Sequence, residues 1–590
     1  MVEGATMTRI MGAALAAALA LAGCARTPAP QGAAGAAGAA GPVTVKLIAF
    51  NDFHGNLQPS GAVDAPDGKG GTVKVPVGGA AWFASAVAAL RAENPNHLVV
   101  SAGDMISASP LVSSLFLDEP TIHAMNLIGV DLNAVGNHEF DRGRDELKRM
   151  QDGGCAKFTM RRPCQLEPFP GARFRYLAAN VAERGGATLF PGTALRSFGE
   201  GAAKVTIGFI GMTLKATPSI VSPAGVAGLT FADEAETANA LVPKLKEQGA
   251  DAVVVLIHQG GATTGAFNDK ACPGFSGDLL PILDRLDPRV DLVVSGHTHR
   301  AYLCDYGRIN PSRPFLVTSG GQAGGMLTDI ELTIDPAAHR VTAKTADNIL
   351  VQSEGRVPPS DLYRRYAPDP RVTALVARYA DASRTLVEQP VGRLSGPAER
   401  APQGTPDSVL GNLIADAQLA ATRAPDKGGA VVAFMNLGGV RADLTPRADG
   451  TVTFGDIYAT QPFGNTLTTR SFTGRQLKAV LEQQFDTGRP GGNNVLLPSA
   501  SLRYGFDLGR PVGQRVIDPR IDGQPIEDAR TYRVTASDFL MNGGDGFTSF
   551  AAGTDPLVGM DDLRALQDYF AAAGTLTVPT AGRVKDLTLR

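Results

Sequence analysis

Five short apolar runs in the first 300 residues end in the same kind of chemistry, and that recurrence limits what this chain can fold into. Val45 to Phe50 opens into Asn51-Asp52-Phe53-His54-Gly55, and Leu98 to Ser101 into Gly103-Asp104. Leu132 to Val135 leads into Gly136-Asn137-His138-Glu139-Phe140-Asp141. Ala252 to Ile257 leads into His258-Gln259-Gly260, and Leu292 to Ser295 into Gly296-His297-Thr298-His299. Such runs read as strands, with Val205 to Ile210 as another. Helical stretches over Ala80 to Arg91 and Ala235 to Gln248 alternate with them, which predicts a layered α/β (α+β) domain. Five of the eight histidines fall in these strand-end segments, a clustering that core histidines do not produce. His97, His123 and His339 lie outside them and read as structural or exposed.

The side chains so gathered are oxygen and nitrogen donors with no thiolate, a set suited to zinc, manganese or iron. Two carboxylates, four imidazoles and one amide exceed the needs of one tetrahedral ion, whereas two ions sharing a bridging carboxylate use them all. Two +2 ions with two carboxylates leave a site matched to a phosphate dianion. A metal-bridging water, acidified by both ions, would then be the nucleophile at phosphorus.

At 590 residues the chain exceeds one core, and two large domains are expected. A net charge of −3 gives no electrostatic case for a nucleic-acid polymer, and nothing implies a protein partner. Met11 to Leu21 is an apolar segment of signal-peptide length, short of the roughly 18 residues a membrane span needs. It ends in Leu21-Ala22-Gly23-Cys24, which resembles the bacterial lipoprotein processing box. The expectation is a leader over 1–24, lipidation at Cys24, and an exported chain anchored to a membrane, the outer membrane being favoured. Residues 25–42 are mostly Ala, Gly and Pro and read as a tether of about 23 Å. The remaining Cys155, Cys164, Cys272 and Cys304 allow three pairings in an oxidising compartment, and proximity favours Cys155 with Cys164 and Cys272 with Cys304.

The first domain is expected over 43–350. Prolines break the chain after it, and Val372, Leu375, Val376 and Tyr379 repeat at helical spacing, so one long helix is expected in a linker over 351–390. A second domain follows over 391–590, with no histidine. Its motifs are Gly411-Asn412-Leu413, Asn436-Leu437-Gly438-Gly439-Val440-Arg441 after a strand from Ala430 to Met435, Pro462-Phe463-Gly464-Asn465, and Phe539 to Phe547. Glycines allowing close approach, two aromatics, an arginine and an acid are parts of a nucleoside site.

The motif order resembles the calcineurin-like metallophosphatases, and more closely the secreted 5′-nucleotidase / UDP-sugar hydrolase family, over nearly everything after residue 43. The resemblance implies a four-layer αββα metallophosphatase domain, a linker helix and a C-terminal α/β nucleotide-recognition domain. It implies one metal on Asp52, His54, Asp104 and His299, and another on Asp104, Asn137, His258 and His297, with Asp104 bridging. His138, oriented by Asp141, would stabilise phosphate charge or protonate the leaving oxygen. Phe463 and Phe539 would sandwich the base and Asp545 would hold the ribose. Asn436, Gly438 and Arg441 would lie near the base edge and phosphate. The chain departs from the family where arginines often precede the GNL segment, for Gly404-Thr405-Pro406-Asp407-Ser408-Val409 stands there. Arg393 and Arg400 are the candidate substitutes. The implied activity is phosphate release from nucleotides. A cyclic phosphodiesterase/3′-nucleotidase, a nucleotide pyrophosphatase, a thiosulfate-type hydrolase and a nucleotide-binding lipoprotein without turnover are the alternatives.

Overall fold

The computed structural model describes residues 41–59, 61–159, 161–222, 225–355, 357–400, 407–486 and 495–588. The leader, Cys24 and most of the tether lie outside the described residues. Among those described, no helix is long and apolar enough to cross a membrane.

The first domain is built on two six-stranded sheets. One runs in the spatial order Arg340–Leu350, Met326–Asp335, Val43–Phe50, His97–Ser101, Leu132–Ala134, Arg175–Leu177. The other runs Ala301–Asp305, Leu316–Gly320, Leu292–Ser295, Ala252–His258, Val205–Thr213, Thr193–Phe198. Alternation decides the layering, because successive side chains leave a strand on opposite faces. Val45, Leu47 and Ala49 meet Ile207, Phe209 and Val254 of the other sheet in a shared interior. Ile48, Phe50 and Val99 face the opposite way, beneath the helices Ala80–Arg91 and Glu119–Ile128. Val253, Val255 and Ile257 likewise pack under Glu234–Glu247. The result is four layers, αββα, in which each large side chain taken fully from water contributes roughly 1.5–3 kcal/mol. Strands buried on both faces need apolar residues at every position, which is why Ala252 to Ile257 reads as an unbroken run.

The central strands of each sheet are parallel. In such sheets the loops at the carboxyl ends carry ligands. Both predicted cystine pairs are present, Cys155–Cys164 and Cys272–Cys304.

The linker helix spans Pro370–Val387, capped by Asp369, whose carboxylate accepts the N–H groups of Arg371 and Val372. Its Tyr379 packs edge-on against Phe116 of the first domain, centroids 4.9 Å apart. The second domain is α/β, around a five-stranded sheet in the order Leu496–Pro498, Val432–Asn436, Thr531–Ser537, Thr466–Thr473, Thr554–Asp561. The helix Val409–Thr422 covers it through Leu413, Ile414 and Ala417.

One reading is corrected here. By its sequence the Gly411-Asn412-Leu413 segment groups with the nucleoside-binding parts, but it is structural. A Cβ on Gly411 would collide with the Leu497 side chain, and fully buried Asn412 donates to Asp407 Oδ1 at 2.5 Å. Asp407 also accepts the N–H groups of Gly582 and Arg583, so it ties the helix start to the chain end.

Candidate active site

Every predicted metal-ligating side chain sits just beyond, or at the last residue of, a parallel strand. Asp52 and His54 follow Val43–Phe50, Asp104 follows His97–Ser101, and Asn137 follows Leu132–Ala134. His258 ends its own strand, and His297 and His299 follow Leu292–Ser295. Two groups result whose donor atoms could each hold an ion: Asp52, His54 and His299, and Asp104, His258 and His297. In the first, His54 Nε2 lies 3.1 Å from His299 Nε2, and Asp52 Oδ1 lies 3.3 Å from that same atom. In the second, His258 Nε2 lies 2.9 Å from Asp104 Oδ2. Asn137 joins that group, its Oδ1 3.0 Å from His297 Nδ1. Asp104 Oδ2 is also 3.7 Å from His54 Nε2, so it reaches toward both groups.

The donor set fits two divalent ions on its own evidence. Asp104 Oδ2 and His258 Nε2 are buried without a hydrogen-bond partner, an arrangement that costs free energy unless a cation is the partner. The imidazoles are fixed for ligation: His54 Nδ1 bonds the Ser107 carbonyl at 2.9 Å and His258 Nδ1 the Ala102 carbonyl at 2.7 Å. The Nδ1 proton therefore donates outward and the Nε2 lone pair faces the site. Asp52, His54, Asp104, His297 and His299 all have φ between 47° and 70°. Non-glycine residues rarely adopt that left-handed backbone, and it is retained where function requires it. The loops also touch: a Cβ on Gly136 would run into Asp104 Oδ1.

Electrostatics follow from burying this many groups together. Burial, then the charge of neighbouring imidazoles, depresses His54 and His297 to about 3. Burial opposes charge on His258 too, but the carboxylates of Asp104 and Asp52 outweigh it and raise the ring to about 10. Asp104 is held well below the usual carboxylate range despite burial, by His258 and His138.

His138 stands beside these groups. Its Nδ1 bonds Asp141 Oδ2 at 2.8 Å, and its backbone N–H donates to Asp104 Oδ1 at 2.9 Å. Burial resists its protonation, yet Asp141 and Asp104 outweigh that and raise its pKa.

The second domain closes over the same centre. Asn137, His138 and Asp141 line one cavity with all six predicted substrate-binding residues: Asn436, Gly438, Arg441, Phe463, Phe539 and Asp545. Phe463 stacks on His138, centroids 5.7 Å apart at 14°, and Arg441 lies over its ring at 5.8 Å. Asn436 Nδ2 donates to Asp545 Oδ2 at 2.8 Å. Asn436 closes its strand instead of following it, and this aims its amide into the cavity. Arg441 turns to the metal-ligand carboxylates, with Asp104, Asp141 and Asp52 all acting on its charge.

Some residues of the site are not predicted by the sequence. Gly439 and Asn465 lie inside quoted motifs but had no assigned place, whereas Ile220, Val221 and Ser222 line the cavity from a stretch with no motif chemistry. Glu139 is buried and accepts backbone N–H groups of Asp104, Met105 and Gly136 at 2.7–2.9 Å, joining two ligand loops. Of the candidate arginines, exposed Arg393 donates to the Asp449 carbonyl, while Arg400 donates to the carbonyl of Arg441.

Comparison with known proteins agrees with this construction. Residues 45–301 match the calcineurin-like phosphoesterase model and residues 390–552 the 5′-nucleotidase C-terminal domain model. Cell wall protein Lmo0130 of Listeria monocytogenes is 30% identical over 580 residues, covering 92% of this chain and 69% of its own. Endonuclease YhcR of Bacillus subtilis is 29% identical over 531 residues and 89% of this chain, which spans 39% of the endonuclease's length. Among solved structures, the 5′-nucleotidase precursor of Thermus thermophilus superposes with a TM-score of 0.72 at 26% identity, covering 92% of this chain and 99% of that one. The chain belongs to the 5′-nucleotidase family, in which a calcineurin-like phosphoesterase domain is joined to a 5′-nucleotidase C-terminal domain.

Proposed function

We propose that this chain is a metal-dependent phosphohydrolase that releases phosphate from nucleotides. One observation carries the reading: a single cavity joins His138 beside a two-ion ligand set to Phe463, Phe539 and Asp545 of the other domain. Asp52, His54 and His299 would hold one ion, His258, His297 and Asn137 the other, and Asp104 would serve both. When bound, such ions supply Lewis-acid polarisation of a phosphoryl group and acidify water. The protein's own groups do the rest. Arg441 neutralises phosphoryl charge, Phe463 and Phe539 hold the base by stacking, and Asp545 accepts ribose hydroxyls. His138 gives its proton to the leaving 5′-oxygen while Asp141 keeps the ring protonated.

The Asp141 role has a pH signature. Because Asp141 helps raise the His138 pKa, the acid form persists above the usual histidine range and is lost as pH rises through the raised value. Asp141→Asn is expected to move the alkaline limb of kcat/KM for AMP to lower pH. An unmoved limb in that profile would remove the pair from the mechanism.

Aromatic recognition predicts a split between substrates. Phe539→Ala is expected to raise KM for AMP by about 10-fold or more, from a stacking contribution of roughly 1–3 kcal/mol. KM for p-nitrophenyl phosphate, which lacks a base, should change little. Equal changes for both esters would argue against a base-stacking role.

A second reading rests on a separate cavity of about 450 Å³, which Arg441 and His54 also line, with Asn56, Gln58 and Gln322 at its wall. Amides and small residues beyond the phosphate position suit the hydroxyl-rich portion of a nucleoside diphosphate sugar. The test is phosphate release from AMP, UDP-glucose, a 2′,3′-cyclic nucleotide and p-nitrophenyl phosphate, with zinc or manganese and with EDTA. Metal-dependent turnover of AMP supports the nucleotidase reading, and preference for UDP-glucose the second one. Turnover of the nitrophenyl ester alone would contradict the nucleoside pocket.

A further inference from the structure

Arg400 and Arg441 lie side by side, and no carboxylate pairs with the charge of either. Arg400 Nη1 donates to the main-chain carbonyl of Arg441 at 3.4 Å, and its backbone N–H donates to Asp443 Oδ1 at 2.6 Å. Among the described residues, neither guanidinium forms an ion pair with a carboxylate. Burial, then the charge of Arg400, lowers the pKa of Arg441, so the two cations act on one another. Like charges held together without a paired counter-charge are costly, and the usual resolution is a shared anion bonded by both.

Position says which anion. Arg441 feels the ligand carboxylates Asp104 and Asp52 and lines the cavities on both sides of the phosphate position. Arg400 feels Asp443 and none of the metal-ligand carboxylates, so it stands one step further out. A phosphoryl group at the metal centre is therefore within reach of Arg441 but not centred on Arg400. An anion bridging the two guanidinia lies beside that group, at about the distance of a covalently joined neighbour.

We propose that Arg400 and Arg441 together seat a second phosphoryl group joined to the one at the metal centre, so that the site takes substrates containing a phosphoanhydride. This rests on the phosphohydrolase reading for its biological sense, though the anion seat itself does not need turnover. Arg400 replaces, from a different place in the chain, the cations that the segment before Gly411 lacks. Arg393, engaged elsewhere, takes no part.

The test uses two non-hydrolysable ligands titrated calorimetrically into the manganese-loaded chain. One is the methylene phosphonate analogue of AMP and the other the methylene-bridged analogue of ADP. Arg400→Ala is expected to weaken the ADP analogue by about 10-fold or more, as loss of a charge-assisted fork does. The AMP analogue should change by less than about 3-fold. Arg400→Lys should recover part of the loss by restoring charge without the fork, and Arg393→Ala should alter neither ligand. Equal weakening of both ligands, or of neither, overturns the proposal. If AMP is hydrolysed while Arg400→Ala leaves the ADP analogue unaffected, the seat falls and the hydrolase reading stands. If the analogue depends on Arg400 but no nucleotide is turned over, the seat stands and the hydrolase reading falls.

Discussion

Asp104→Ala is expected to abolish measurable turnover of AMP, a loss of at least about 10³-fold. Disturbing an outer-shell partner of a metal already costs roughly 10–100-fold in affinity or activity. Asp104 is closer to the chemistry than that. Its Oδ2 lies 2.9 Å from His258 Nε2 and 3.7 Å from His54 Nε2, so one substitution removes a donor from both groups. Metal content, measured by mass spectrometry after dialysis, should fall below two ions per chain, and circular dichroism should show the fold retained. Substitution of Asp52, which belongs to one group, should leave the other ion bound. Two ions per chain in Asp104→Ala would contradict the shared-ligand geometry.

The second large effect belongs to His138. His138→Ala is expected to lower kcat for AMP by about 10²–10⁴-fold, the range for a positioned general acid. Metal content should stay at two, because His138 lies outside both ligand groups. The substrate series sharpens the prediction. A nucleoside alkoxide is a poor leaving group that needs a proton, whereas p-nitrophenolate leaves readily without one. The loss should therefore be smaller for p-nitrophenyl phosphate than for AMP, measured in the same preparation. Equal losses would assign His138 to binding phosphoryl charge instead of protonating the leaving oxygen.

What the sequence disclosed and what it withheld have physical causes. The metal centre was legible because its ligands are side chains of rare chemistry placed where buried strands run out, and a strand end fixes the location of whatever follows it. Asp52, Asp104, Asn137 and His258 are each within three residues of a strand's end, so little folding information was needed to bring them together. The nucleoside cavity was legible through Phe463, Phe539 and Asp545 for the same reason of unusual type and order. Ile220, Val221 and Ser222 were not, since they contribute surface instead of chemistry, and only the docking of the second domain puts them there. The Gly411-Asn412 segment misled because a glycine needed for close helix packing against Leu497 looks like one needed for ligand approach. Arg393 and Arg400 could not be separated by sequence, as a guanidinium's reach depends on the strand and turn that carry it. Strain was likewise invisible: nothing in Asp52 or His299 announces a φ of 49° or 59°.

The central claim is that two ions and one nucleotide meet at a single site. The most direct measurement is AMP hydrolysis by the chain stripped of metal and titrated with manganese. The account predicts no phosphate release without metal and a rate that reaches its plateau at two equivalents per chain. Turnover that survives chelation, or a plateau at one equivalent, would contradict it.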